Sequence, residues 1–238
     1  MLALHGGGGS ASQFKGENGL DTIADREGFV AVHPDGTGPL ANRLHTWHAG
    51  PGCCGYALDQ RVDDVGFLAA VVEDLGRRLA VDRGRIYVTG HSNGGMMAYR
   101  FAAERAVLVA AAVPVGGAMA LEAIAPSRPV AILHLHSVDD PRALYEGGLG
   151  PPFPGTDVRV PHRGVMEGLA RWAAHNRCGS APETVEGPSR DRRHPDQTVT
   201  RLRWPGCAAG GTVEHLRFTG VGHGWPGVGV GAARRRLI

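Results

Sequence analysis

The chain has 238 residues, a formal charge of +2, 42% hydrophobic residues and 20% charged ones, which suits a single α/β domain with one sizeable core. Lys15 is the only lysine and the arginines are scattered among a similar number of carboxylates, so nothing marks a nucleic-acid surface, and the one basic run, Arg234-Arg235-Arg236, reads as a solvated tail. No stretch reaches the roughly 18–20 apolar residues of a membrane span, the first residues lack the pattern of a secretory leader, and four cysteines are too few for a disulfide scaffold while permitting two bridges.

In chain order, apolar runs alternate with helical patterns. Leu2 to Leu4 predicts a strand, Leu20 to Arg26 a helix and Phe29 to His33 a second strand. Between Val62 and Leu79, the residues Val65, Leu68, Ala69, Val72, Leu75 and Leu79 recur at intervals of three and four, with Asp63-Asp64 in the first turn where carboxylates favour the helix dipole. That spacing predicts a long helix packed on a sheet. Ile86 to Thr89 predicts a short buried strand, and a helix follows through Met96, Met97, Tyr99, Arg100 and Phe101. Val107 to Val115, Val130 to His136 and Val213 to Thr219 supply three further strands. Such βαβ punctuation implies a doubly wound, mostly parallel sheet with helices on both faces. Segment 179–197, rich in Pro, Ser, Glu and Arg and without a period, is expected to be an irregular solvated excursion. Residues 227–238 carry too little apolar pattern for a closing helix, and the first strand has almost nothing before it, so an edge of the sheet is expected to be missing.

Gly90-His91-Ser92-Asn93-Gly94 lies between the strand at 86–89 and the helix after it. A turn tight enough to push a serine hydroxyl clear of the backbone brings strand and helix so close that the flanking positions tolerate little beyond glycine. With 37 Gly in the chain, the pattern arises by chance about 0.17 times around its serines, so the flanking strand and helix carry the assignment. Ser92 is the candidate nucleophile. A serine hydroxyl needs a base within reach and a third group to hold that base's tautomer, and in strand-elbow enzymes the acid and the histidine follow later strands in that order. The strand at 130–136 runs into Ser137-Val138-Asp139-Asp140-Pro141, and the strand ending at Thr219 runs into Gly220-Val221-Gly222-His223-Gly224-Trp225-Pro226-Gly227. His223 is the candidate base. Asp139 and Asp140 both fit the acid, one of them as a turn cap, and spacing alone does not choose. His134 and His136 share a strand face and read as core or strand-end packing.

Acyl transfer also needs donors aimed at the carbonyl oxygen as it becomes negative. His5-Gly6-Gly7-Gly8-Gly9 follows the first strand and fits, with Gly7 the first choice and Gly8 the next, and the Asn93 N–H supplies the second donor. Trp47, Trp225 and His91 are the candidate substrate contacts. Cys53-Cys54 near His45 and His48 suggests zinc, but adjacent cysteines rarely both reach one ion, and structural thiols or a bridge beneath the substrate loop is the preferred reading.

The segment Tyr87-Val88-Thr89-Gly90-His91-Ser92-Asn93-Gly94-Gly95-Met96, the helix start Val62-Asp63-Asp64-Val65-Gly66-Phe67-Leu68 and Gly222-His223-Gly224-Trp225-Pro226-Gly227 together resemble the polyhydroxybutyrate depolymerase and feruloyl esterase family of α/β-hydrolases, over nearly the whole chain. The resemblance implies an α/β-hydrolase fold, shortened here at both ends. It implies a serine carboxylic-ester hydrolase, needing no cofactor, acting on polyhydroxyalkanoate-type polyesters or on feruloyl or acetyl esters. The family's His-Gly-x-x-Asp-Pro loop matches His136-Ser137-Val138-Asp139-Asp140-Pro141 and selects Asp140 as the acid, with Ser137 standing where the family has glycine. A bridge between Cys178 and Cys207 and an extracellular location are further implications. Two other readings stand beside this one: a serine peptidase of the same fold, and a non-catalytic binding protein that keeps the cleft.

Overall fold

The structure is a computed structural model and describes residues 1–153, 157–191 and 194–226. Its elements in order are β1 (Leu2–Leu4), α1 (Ala11–Asn18), α2 (Leu20–Glu27), α3 (Gly55–Asp59), α4 (Asp64–Arg78), β2 (Tyr87–His91), α5 (Asn93–Glu104), β3 (Ala111–Val115), β4 (Ala131–Ser137), β5 (Gly148–Pro152), β6 (Arg159–His162), α6 (Val165–His175), β7 (Glu183–Asp191), β8 (His194–Trp204) and β9 (Val213–Thr219). Seven strands form one sheet in the order β1-β2-β3-β4-β9-β8-β7. The first five in that order are parallel, while β8 and β7 are added antiparallel. β5 and β6 make a separate antiparallel hairpin.

The long helix forms where its apolar spacing predicts. The Asp63 carboxylate accepts the Gly66 N–H at 2.8 Å and caps the N-terminus of α4, and Val65, Leu68 and Val72 are buried. Leu79 falls beyond the helix and is exposed. α5 is buried along most of its length, because it packs against the parallel strands β1, β2 and β3 and leaves little of itself to water. Trp47, Trp172, Trp204, Tyr99 and Phe101 are the largest fully enclosed side chains of the core, and Trp172 satisfies its indole N–H on the Val130 carbonyl at 3.0 Å.

Three expectations are corrected. Segment 179–197 is mostly the β7–β8 hairpin and not an irregular excursion. β7 lies at the sheet edge, its described side chains from Glu183 to Ser189 are exposed, and its pairing with β8 shifts register repeatedly, so no alternation of apolar residues records it. Phe29–His33 contributes only one bridge, Val32 to Leu2, although Ala3 and Val32 donate to Val32 O and Met1 O at 2.8 and 2.9 Å. The strand expected from Val107 starts at Ala111, after a turn. α1 appears in a stretch with little apolar signal, where Ser10 caps it by accepting the Gln13 N–H at 3.3 Å and only Phe14 and Asn18 are buried. The expectations for 227–238, Arg234-Arg235-Arg236 included, lie outside the described residues. Cys178 and Cys207 are bonded to each other, and the bridge links the end of α6 to the β8–β9 connection, closing the β7–β8 hairpin. No helix among the described residues is long and apolar enough to cross a membrane.

Candidate active site

The carboxyl ends of β1, β2, β4 and β9 lie on one rim of the sheet, since these strands run parallel, and each continues into a loop carrying a candidate group. This is where open α/β sheets bind ligands. After β2 the chain turns at Ser92 with φ 56° and ψ −119°, a conformation that costs a non-glycine residue free energy and that a nucleophile elbow would require. A Cβ on Gly90 would collide with the Gly94 carbonyl, and one on Gly94 with the Leu4 carbonyl oxygen. Both glycines are therefore demanded by the close passage of β1, β2 and α5. Ser92 N–H donates to Val115 O at 2.8 Å, and Met96 N–H donates back to Ser92 O at 3.0 Å, so the elbow is held from β3 and from its own helix.

The loops after β4 and β9 come together as the chain order predicts. His223 Nδ1 is 2.7 Å from Asp140 Oδ2, and Asp140 Oδ1 accepts the backbone N–H groups of Arg142 and Ala143 at 2.8 and 2.9 Å. Asp140 is almost completely buried. Burial would push its carboxyl up, but the hydrogen bonds from His136 and His223 outweigh that and hold it well below the ordinary carboxylate range. Asp139 has the structural role: its Oδ1 accepts the Ser137 hydroxyl and, at 3.0 Å, the Gly220 N–H. Ser137 Oγ in turn accepts the Val221 N–H at 3.3 Å. Of the two carboxylates, Asp140 is the one that faces the His223 imidazole.

With Nδ1 occupied by Asp140, Nε2 is the His223 nitrogen left for chemistry. His223, Ser92 and His91 line one cavity of about 480 Å³. Ser92 Oγ has no hydrogen-bond partner among the described residues, and such contacts commonly tighten only in a substrate complex. Gly7 also lines the cavity, and neither its N–H nor that of Asn93, at the first position of α5, has an acceptor among the described residues. Gly8, the second choice, is corrected: its N–H donates to His45 O at 2.8 Å.

Of the three candidate substrate contacts, Trp47 is corrected. It is fully enclosed, with its indole N–H on His5 O at 3.0 Å and its backbone tied to the Asn93 side chain. Trp225 is not among the cavity-lining residues and packs edge-on against Phe14, which is. His91 lines the cavity, yet its ring lies 4.8 Å from that of His223 and its Nε2 is buried without a partner among the described residues. Burial, with the neighbouring His223, lowers His91 to about 3, so it is a neutral ring beside His223.

Phe14, Leu44, Met96, Phe153 and Val160 supply apolar wall that the sequence did not point to. Phe153 directly follows β5 and Val160 lies on β6, in a stretch whose Gly/Pro composition gives no sign that it borders the cleft. A Cβ on Gly7 would come within 2.8 Å of the Phe153 ring, which gives that glycine a steric reason. Cys53 and Cys54 also line the cavity and are bonded to each other. With both sulfurs in a disulfide, no thiolate is offered to an ion beside His45 and His48.

A different cluster, His5, Asp35 and His45, brings its ligand atoms within 4.8 Å of one another. Its imidazole nitrogens are already engaged: His5 Nδ1 with Gly6 O at 2.8 Å and Nε2 with the Gly36 N–H at 2.9 Å, His45 Nδ1 with Asp35 at 3.1 Å and Nε2 with Leu40 O at 2.7 Å. These bonds fasten the glycine loop that carries Gly7.

The chain is similar to NocK of Nocardia uniformis subsp. tsuyamanensis, an esterase by name, at 30% identity over 235 residues, covering 95% of this chain and 65% of NocK. It is similar to the bifunctional acetylxylan esterase/xylanase XynS20E of Neocallimastix patriciarum at 27% identity, covering 94% of this chain and 28% of that protein. The chain thus spans less than two thirds of the length of these curated relatives. Among solved structures, acetyl xylan esterase from Aspergillus awamori superposes with a TM-score of 0.60 at 18% identity, over 93% of this chain and 82% of that one, which supports the α/β-hydrolase fold. The family model for esterase PHB depolymerase matches residues 1–174, which include the glycine loop, Ser92 and Asp140. The chain belongs to the esterase PHB depolymerase family.

Proposed function

We propose that the protein is a serine carboxylic-ester hydrolase working through an acyl-enzyme, with Ser92 as nucleophile, His223 as general base and acid, Asp140 as orienter, and the N–H groups of Gly7 and Asn93 as the oxyanion donors. The observation that carries this reading is the 2.7 Å contact between His223 Nδ1 and Asp140 Oδ2, which leaves Nε2 on a cavity shared with an elbow serine. Ser92 Oγ attacks the ester carbonyl while His223 Nε2 takes its proton. Asp140 keeps the proton on Nδ1 and stabilises the imidazolium. The developing oxyanion is met by the two backbone donors. Collapse breaks the acyl–oxygen bond, and His223 returns its proton to the departing alcohol. Water then repeats the sequence on the acyl-enzyme, releasing the acid and restoring Ser92.

The mixture of Phe14, Leu44, Met96 and Phe153 with the Cys53–Cys54 disulfide around the cleft suits an ester with a substantial apolar part. Polyhydroxyalkanoate-type polyesters and feruloyl or acetyl esters are the proposed substrates, the polyesters in keeping with the family's description and the acetyl esters with the name of XynS20E. Two disulfides favour an oxidising, extracellular compartment.

Fluorophosphonate labelling tests the reading. Stoichiometric modification of the wild type at Ser92 is expected, with none in Ser92→Ala, together with loss of p-nitrophenyl acetate hydrolysis in that variant. A folded wild type that resists labelling would leave the binding-protein reading in its place, and a matched amide cleaved as fast as its ester would favour the peptidase.

A further inference from the structure

We propose that His136 is a positioning residue for Asp140, placing a second imidazole N–H on the same carboxylate oxygen that holds His223, and that a buried chain of hydrogen bonds through His134 and Tyr99 keeps that N–H in place. This rests on the proposed esterase reading of Ser92, Asp140 and His223.

His136 is 2% exposed. Its Nε2 is 2.7 Å from Ala143 O and 3.3 Å from Asp140 Oδ2. Both of those oxygens only accept, so the ring proton belongs on Nε2. His136 Nδ1 is then free to accept from His134 Nε2 at 3.1 Å, and His134 Nδ1 accepts the Tyr99 hydroxyl at 2.9 Å. Burial, with His136 and His215 nearby, pushes His134 far below its ordinary value, and burial raises Tyr99 so that it keeps its proton. From Tyr99 to His136 each donor meets one acceptor, and the His136 Nε2–H is shared between Ala143 O and Asp140 Oδ2, which fixes every tautomer in the chain.

The network also joins the three elements that carry the triad. Tyr99 belongs to α5, which begins beside Ser92. His134 and His136 belong to β4, which leads to Asp140. His215 belongs to β9, which leads to the His223 loop; its Nδ1 donates to His134 O at 3.0 Å, and its Nε2 accepts the Tyr145 hydroxyl at 3.0 Å. A core that needed only packing would be served as well by apolar side chains here. The polar chain ends on the carboxylate, where a fixed donor prevents rotation that would carry Oδ2 away from His223.

The test compares two polar replacements that differ in reach. In His136→Gln the side-chain amide places an N–H near the position of Nε2, whereas in His136→Asn it stops near Nδ1. With p-nitrophenyl acetate, His136→Gln is expected to keep kcat within about threefold, and His136→Asn to lose about tenfold in kcat with KM unchanged, the worth of one hydrogen bond to a charged group. Without the His136 donor the Asp140 charge is less shared and the His223 imidazolium is favoured. The acid limb of the kcat/KM profile should therefore move to higher pH in His136→Asn and stay in place in His136→Gln. The other ionisable groups facing the Asp140–His223 pair are His91 at the end of β2 and His162 on β6, and neither is altered.

Equal activities for the two variants, a loss carried by KM, or an unmoved acid limb would each overturn the assignment, as would failure of both variants to fold, which would make His136 purely structural. Fluorophosphonate labelling of the wild type separates these outcomes from failure of the esterase reading itself, since it reports on Ser92 without reference to His136.

Discussion

Asn93 and Trp47 exchange two buried hydrogen bonds: the Trp47 N–H donates to Asn93 Oδ1 at 2.7 Å, and Asn93 Nδ2 donates to Trp47 O at 2.9 Å. The same Nδ2 lies 3.4 Å from Cys53 Sγ. The residue whose backbone N–H is proposed for the oxyanion thus uses its side chain to bind the loop that carries Trp47 and the Cys53–Cys54 wall to the elbow. Asn93→Ala leaves both Trp47 backbone groups buried and unpaired, a cost of about 2–4 kcal/mol. Urea unfolding should record that loss, and esterase activity should fall even where the protein remains folded, because the Cys53–Cys54 wall loses its anchor. Wild-type unfolding behaviour in Asn93→Ala would contradict this account.

The adjacent carboxylates predict opposite outcomes. Asp140→Asn puts an amide where His223 needs an acceptor and favours the wrong imidazole tautomer, so kcat toward p-nitrophenyl acetate should drop by about 10³–10⁴-fold, the scale known for this change in serine-triad enzymes. Asp139→Ala removes the acceptor of Gly220 N–H and of the Ser137 hydroxyl, loosening the base loop while leaving the proton path intact. Its expected loss is within about tenfold, consistent with small displacements of a positioned base. Steady-state kinetics on the two variants checks the order, and the reverse order would exchange their roles.

The parts of this fold and site that can be read from residue order are those where sterics leave no alternative. Gly90 and Gly94 announce the elbow because β1, β2 and α5 pass too close for a side chain, and parallel strands carry Ser92, Asp140 and His223 to one rim in order. What escapes is decided by long-range partners. Trp47 looks like a substrate platform until Asn93 and His5 O enclose it. His136 looks like packing because its contact with Asp140 is made by the turn after β4, which has no periodicity to betray it. β7 escapes because both of its faces are wet, and the Phe153 wall because the chain around it reads as Gly/Pro loop.

Acid should destabilise the protein in two stages, the first set by buried histidines. His134 and His215 are 1% and 0% exposed; burial holds His215 at about 4 and His134 far below its ordinary value, whereas each returns to about 6.5 in the unfolded chain. Below pH 6.5 the unfolded chain binds protons that the folded one refuses, so stability falls as pH falls. Taken down to pH 5, that amounts to about 2 kcal/mol for each histidine, a large share of a typical total of about 5–15 kcal/mol. Asp140 acts in the same direction but lower: its folded value is depressed, so its contribution is present above the unfolded value of about 3.9 and is lost as pH falls below it. Urea midpoints should therefore be level above about pH 7, decline between about pH 6.5 and 5, and fall again below about pH 4. His215→Gln, which does not titrate, should begin less stable because it disturbs the bonds to Tyr145 and His134 O, yet show a shallower decline between about pH 6.5 and 5. Parallel declines in wild type and His215→Gln would mean that this histidine is not among the groups that make the core sensitive to acid.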